Sequence, residues 1–264
     1  MARVSSAALA RRHLETVGYA HLAPEVLHPG RIGCTERQVA DFVDSWNALP
    51  RDPYTSNSGA GVRLRRYGRL AVREDGITAL PSAPFVQSSQ VNPVFGGIER
   101  QFATLEPAFV ASPVLASLIQ VLRQCLPGLF DQLEDLSLGI HQIRVRTSTG
   151  EDGLPTPEGI HQDGHRFVAQ VFILRNEVDG GCSTFYENGA PVYETYLTQP
   201  FECLLVDDRR MFHGVSAIKP AGATEGWRDM LLLDFPDDLQ LEAVASLAHV
   251  DEAAWSLLPE GAAG

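Results

Sequence analysis

Residues 159–165 read Gly159-Ile160-His161-Gln162-Asp163-Gly164-His165. On a strand or its extended end, a period of two puts the His161 and Asp163 side chains on one face, converging on one point. Alone, a His-x-Asp pair arises too often by chance to argue a metal. Its weight rises with Asp207-Asp208-Arg209-Arg210-Met211-Phe212-His213-Gly214-Val215, where His213 follows the core-type run 203–206. The interval after His161 leaves room for four strands, and a jelly roll would return His213 to the mouth occupied by His161 and Asp163. Two imidazoles and one carboxylate form the facial triad that leaves three positions on Fe(II) open, suited to oxygen chemistry and not to a closed structural site.

Outward from this stretch, short β-type runs are spaced by Gly, Pro, Asn and Asp: 138–146, 167–174, 183–186, 192–197, 201–206, 215–218 and 230–235. Such spacing predicts a sandwich or barrel. The first 136 residues read instead as helical and loop support. Thr35 and Gln38 have capping-box spacing ahead of the stripe Val39, Phe42, Val43 and Trp46. Ser112 and Pro113 open a second helix carrying Leu115, Leu118, Ile119, Leu122 and Leu126, which Pro127-Gly128 ends. Between the helices, 62–72 alternates enough to be a strand, and 81–97 reads as a long loop. Residues 137–236 form the β core and 237–264 a C-terminal helical segment, with Leu241, Val244, Leu247, Val250 and Trp255 as its apolar face. One domain over 1–264 is expected, because the helices have no second core of their own.

Composition narrows the function classes. The 264 residues are 44% apolar and carry 21 basic against 33 acidic side chains, a net charge of −12. A polyanion or anionic membrane is therefore an unlikely partner, so neither nucleic acid nor membrane binding is expected. The four cysteines have no metal-type or redox-type spacing. With no signal-peptide h-region and no long apolar run, the expectation is a cytoplasmic protein with reduced thiols.

Arg228, downstream of His213 and at the start of the run 230–235, supplies the third element. A buried guanidinium beside such a metal has a partner in the distal carboxylate of 2-oxoglutarate, since its planar fork makes two parallel charge-assisted hydrogen bonds. The bland reading is a surface arginine offsetting Asp229 or Glu225.

With these residues in place, the sequence resembles the Fe(II)/2-oxoglutarate-dependent dioxygenases, and within them the bacterial branch containing L-isoleucine 4-hydroxylase and related free amino acid hydroxylases. The resemblance covers roughly residues 40 to 236. It rests on His161, Asp163, His213 and Arg228, on Gly180-Gly181-Cys182-Ser183-Thr184-Phe185-Tyr186, and on Leu64-Arg65-Arg66-Tyr67-Gly68 and His141-Gln142-Ile143-Arg144. It implies a mainly β (α+β) fold, a double-stranded β-helix of jelly-roll, cupin-like form. The metal would lie at one mouth, held by His161, Asp163 and His213. Fe(II), 2-oxoglutarate and O2 would be the cofactors, with Arg228 on the C5 carboxylate. The Asp163 carboxylate argues for hydroxylation, because related halogenases have a small residue there.

The implied activity is hydroxylation of an unactivated C–H of a free L-amino acid, aliphatic or cyclic, with release of succinate and CO2. The alternatives are a peptidyl or carrier-bound amino acid substrate, a non-catalytic jelly-roll binding module, and a metal-dependent hydrolase. Thr184, if inward, would support 2-oxoglutarate. Arg144 and Gln142 face either the metal or solvent according to register, with His141 opposite. One of Arg63, Arg65 and Arg66, with Arg66 the residue singled out, would take the substrate carboxylate or else belong to a solvated face. Glu158 would accept from the substrate ammonium. Segments 88–92 and 151–158 are lid candidates, His165 reads as a neighbour of the ligands or a surface residue, and a homodimer is an open expectation.

Overall fold

Local chemistry sets the helices. In the computed structural model, which describes residues 3–55, 61–73, 76–89, 92, 94–128 and 136–236, the Ser6 side chain caps α1 (Ala7–Val17) and Gly18 ends it at φ +81°. After β1 (Tyr19–Leu22) and the single turn α2 (Pro24–Leu27), the expected capping box forms at Thr35 and Gln38 and opens α3 (Glu36–Asp44). Trp46 lies just past it in a 3-10 turn, Ser45–Ala48. The turn α4 (Pro107–Val110) leads to α5 (Pro113–Cys125), where the Ser112 side chain accepts from the Val114 amide. The α5 face Leu115, Leu118, Ile119 and Leu122 is fully buried, as its spacing required.

The strands are β2 (Val62–Arg73), β3 (Gly76–Ala79), β4 (Leu136–Ser148), β5 (Phe167–Asn176), β6 (Val178–Gly180), β7 (Cys182–Glu187), β8 (Ala190–Tyr196), β9 (Cys203–Asp207), β10 (Phe212–Val215), β11 (Ile218–Pro220) and β12 (Glu225–Phe235). Seven form one antiparallel sheet in the order β1-β9-β5-β12-β4-β2-β3, faced by a three-stranded sheet β10-β7-β8 and the pair β11-β6. This is the mainly β jelly roll that the sequence led us to expect, with helices behind its larger sheet.

Alternation along the central strands separates two interiors. On β12, Leu231, Leu233 and Phe235 join the helix-side core, together with Ala169, Val171 and Ile173 of β5 and the buried faces of α1, α3 and α5. The opposite parity of the same strands, Val168, Phe172 and Met230, packs against Phe185 of β7 between the two sheets. A central strand with both faces covered carries apolar residues on each parity, which is why its sequence reads as a run and not as an alternation.

Three expectations are corrected. The run 215–218 is not one strand: β10 ends at Val215 and β11 starts at Ile218, because Ser216 and Gly181 amides bond to Cys182 and Ala217 carbonyls across the break. Arg228 does not open its strand but stands inside β12, which begins at Glu225. The N-terminal region also adds β1 to the edge of the sheet, pairing with β9. The helix expected over 237–264 lies outside the described residues. No helix among the described residues is long and apolar enough to cross a membrane.

Candidate metal centre

His161 and His213 face each other because their backbones form an isolated antiparallel bridge, with amide-to-carbonyl distances of 2.9 and 2.8 Å. Their rings lie 4.4 Å apart. Asp163 completes the cluster from a loop rather than a strand, and one ligand atom from each residue falls within 4.8 Å of the others. Its carboxylate lies 3.5 Å from His161 Nε2 and 3.3 Å from His213 Nε2.

A buried acid shapes that loop. The Asp208 carboxylate accepts the amides of Asp163 (2.9 Å), Gly164 (2.7 Å) and His165 (3.2 Å), while its own carbonyl accepts the Gln162 amide group. Three successive N–H groups turned onto one carboxylate form a rigid nest, so Asp163 is aimed before any ligand arrives. Replacing Asp208 by alanine is expected to weaken Fe(II) affinity by about 10- to 100-fold, the usual cost of losing an orienting partner. Titration of the metal against activity checks it; an unchanged affinity would show that the loop holds its shape without the nest.

Electrostatics favours a cation at this point. Burial opposes the His161 imidazolium, yet the hydrogen bond and charge of Asp163, with Glu158 and the Gly159 carbonyl, raise its pKa to about 9. Burial works against the Asp163 carboxylate too, and His213 and His161 nevertheless hold it well below the usual range. His161 Nδ1 is 3.0 Å from the Gly159 carbonyl. An Nδ1–H donated there leaves Nε2 as the atom facing Asp163, the tautomer a metal ligand needs.

The same cavity receives Arg228, Met230, Leu232 and Asp234 from β12, His141, Ile143 and Val145 from β4, and Arg63 and Arg65 from β2. Arg228 is 3% exposed, and its Nε and Nη2 find no partner among the described residues. Burial, then the nearby Arg175, pushes its pKa down to about 10, with Asp229 acting the other way. Gly181 makes room for it, since a Cβ there would press Arg228 Cδ at 3.3 Å, while a Cβ on the neighbouring Gly180 would strike the Ala217 carbonyl at 2.1 Å. An N2O donor set beside a buried, under-bonded guanidinium fits ferrous iron and a dicarboxylate together.

Residues 43–234 match the family described as 2OG-Fe dioxygenase. The chain belongs to that family. Its members use Fe(II), 2-oxoglutarate and O2, and the His161, Asp163 and His213 cluster accords with that set. Among curated relatives, L-isoleucine-4-hydroxylase of Bacillus thuringiensis is 26% identical over 158 residues, 58% of this chain and 65% of that enzyme, so the match spans just under two thirds of it. A 3(1)-hydroxy-L-isoleucine 4-dioxygenase of Pantoea ananatis (strain AJ13355) is 25% identical over 84% of this chain and 93% of its own. Among solved structures, a bsmA homolog from Methylobium petroleophilum PM1 superposes with a TM-score of 0.74 at 27% identity, over 90% of this chain and 95% of its own. IDO from Bacillus thuringiensis shares the fold, with a TM-score of 0.70 at 20% identity, over 87% of this chain and 98% of its own.

The other expected site residues divide by strand parity. Glu158 lines the cavity, its Oε1 3.4 Å from His161 Nε2 and its Oε2 buried without a partner among the described residues. Gln142 and Arg144 take the helix side of β4 instead. There Gln142 donates to Ser45 Oγ, and Arg144 makes a two-pronged pair with Asp229 at 2.7 Å. Arg66 also faces outward, paired with Glu106 and donating to the Thr104 carbonyl. Thr184 lies on the outer face of β7 beside Glu194, because Ser183 and Phe185 hold the inward parity. None of these four lines the cavity.

Sequence reading missed several lining residues. His141, whose face the sequence left open, points into the cavity and gives Nε2–H to Asp234 at 2.6 Å. Burial is the main cause that lowers its pKa to about 4, so the ring is neutral near pH 7. His165 approaches the same Asp234 at 3.3 Å. Arg100 and Gln87 enter from the 81–97 loop and its flank, where no local pattern separates them from surface residues. Of the lid candidates, 151–158 contributes Pro155, Thr156 and Glu158 to the cavity, and 88–92 lies partly outside the described residues.

Proposed function

We propose that this protein, acting as one domain, hydroxylates an unactivated C–H of a free L-amino acid, aliphatic or cyclic, and releases succinate and CO2 from 2-oxoglutarate. The observation that carries the reading is one cavity holding the His161, Asp163 and His213 donor set together with guanidinium nitrogens of Arg228 and a carboxylate oxygen of Glu158 that find no hydrogen-bond partner among the described residues. The two relatives, named for action on isoleucine and on a hydroxy-isoleucine, support a small aliphatic substrate.

His161 Nε2, His213 Nε2 and Asp163 would hold the iron, which with 2-oxoglutarate and O2 supplies the oxidising power that side chains lack. The protein supplies position. Arg228 receives the distal carboxylate of 2-oxoglutarate, whose two oxygens match its fork. Glu158 Oε2 accepts from the substrate ammonium, a pairing that a desolvated zwitterion requires. Phe85, Pro155, Val215 and Leu232 contribute apolar surface against which an aliphatic side chain is held and from which water is displaced.

The test is a panel of free L-amino acids with Fe(II) and 2-oxoglutarate under air, read by succinate and by mass gain of one oxygen. One or more amino acids should give product in step with succinate. Succinate release that no free amino acid stimulates would overturn the reading and turn attention to a peptidyl or carrier-bound substrate.

A further inference from the structure

Two further buried guanidiniums line the same cavity as Arg228, and neither forms an ion pair with a carboxylate among the described residues. Arg100 is 2% exposed and Arg65 6%. An antiparallel bridge between Phe85 and Arg100, 2.8 and 3.0 Å, sets the backbone that turns the Arg100 side chain inward. Its Nη2 donates to Gln87 Oε1 at 2.5 Å, and Gln87 Nε2 donates to the Asp163 carbonyl at 3.1 Å. Arg65 lies 4.2 Å over the Phe102 ring and gives Nη2 to neutral His141 at 2.5 Å. Both arginines keep a buried Nε without a partner among the described residues.

Of the acids nearby, Glu158 attracts Arg100 but forms no ion pair with it among the described residues, and the others are committed elsewhere. Asp52 takes Arg63 at 2.7 Å, Asp234 takes His141 and His165, and Asp163 faces His161 and His213. Burial and like-charge repulsion from Arg63 and Arg100 push the Arg65 pKa down to about 9, although Asp52 counteracts them. Two desolvated cations held by a neutral amide and a neutral imidazole form a receptor for an anion.

We propose that Arg100 and Arg65 receive the free α-carboxylate of the substrate, so that the site selects amino acids over their amides, esters and carrier thioesters. This rests on the hydroxylase reading above. With the carboxylate on Arg100 and Arg65 and the ammonium on Glu158, both charged groups on the substrate Cα are held, and its side chain is the part left free to reach the iron. A carbonyl derivative brings no negative charge and leaves both guanidiniums without an ion-pair partner. Gln87 holds Arg100 in place and joins it to the backbone of the Asp163 loop, which makes it a positioning residue.

The test compares the amino acid chosen by the panel with its primary amide and methyl ester. For the wild-type protein, kcat/KM for the acid should exceed that for either derivative by at least about a hundredfold, as expected when a site built for a polar group meets an analogue lacking it. Arg100→Gln should erase most of that ratio by raising KM for the acid, while KM for 2-oxoglutarate stays within about threefold of wild type. Arg100→Lys, which keeps the charge and loses the fork, should fall between. If Arg100→Gln does not fold, the wild-type ratio decides alone. Equal turnover of acid and amide overturns the receptor and leaves the hydroxylase reading intact. A parallel rise in KM for 2-oxoglutarate also overturns it, by assigning Arg100 to the cosubstrate. Failure of every free amino acid to bind or turn over overturns both.

Discussion

Replacing Asp163 with alanine is expected to lower turnover at least about a thousandfold, a rise of about 4 kcal/mol in the barrier. Asp163 is the sole anion of the three clustered ligands, and its carboxylate stands between two imidazoles whose rings are 4.4 Å apart. Without it a cation meets only two neutral donors, and iron affinity falls along with activity. Metal content after dialysis and succinate formation check both consequences. His161→Ala should behave alike, since its Nε2 is fixed by the Nδ1 contact to Gly159. A variant of either residue that retains iron and wild-type turnover would remove the metal role.

Arg228→Gln should raise KM for 2-oxoglutarate by about 100-fold or more with a smaller effect on kcat, because two charge-assisted hydrogen bonds of about 1.5 kcal/mol each are lost. The buried, under-bonded state of this guanidinium sharpens the expectation. A surface arginine loses little when exchanged. Here the fork is buried and has no ion-pair partner among the described residues, so a dicarboxylate does not have to displace one. Folding should be nearly unaffected, since glutamine removes a buried charge that forms no ion pair among the described residues. The kinetic split is the check, with KM for the amino acid as the internal control. An unchanged KM for 2-oxoglutarate would place the cosubstrate elsewhere.

The pairing of Gln142 and Arg144 shows where sequence reading stopped. Their strand was recognisable, yet β4 is covered by helices on one face and by the cavity on the other. Both parities therefore hold apolar and polar residues. Nothing in His141-Gln142-Ile143-Arg144 states which parity looks inward. The register with β12 settles it by setting Arg144 opposite Asp229, where a buried pair on the helix side satisfies both charges. Arg66 and Thr184 failed for the same reason of parity. Arg100 failed for another: its inward course depends on a bridge to Phe85, a partner its own neighbourhood does not reveal. Asp208 was visible as part of an acidic pair, but its role exists only once the 163–165 amides are folded around it.

By itself the sequence determined the chemistry available: a His-x-Asp pair, a later histidine and a solitary downstream arginine, together with strand runs and two capped helices. Those features are local, since side-chain type, two-residue periodicity and capping act over a few neighbouring positions. Tertiary structure alone decided which face of each strand meets the cavity of the His161, Asp163 and His213 cluster, which of its arginines form no ion pair among the described residues, and that Arg65, Arg100 and Glu158 line that one cavity. The physical reason is that burial and charge compensation are properties of the whole packed interior, fixed by register and by contacts between residues distant along the chain.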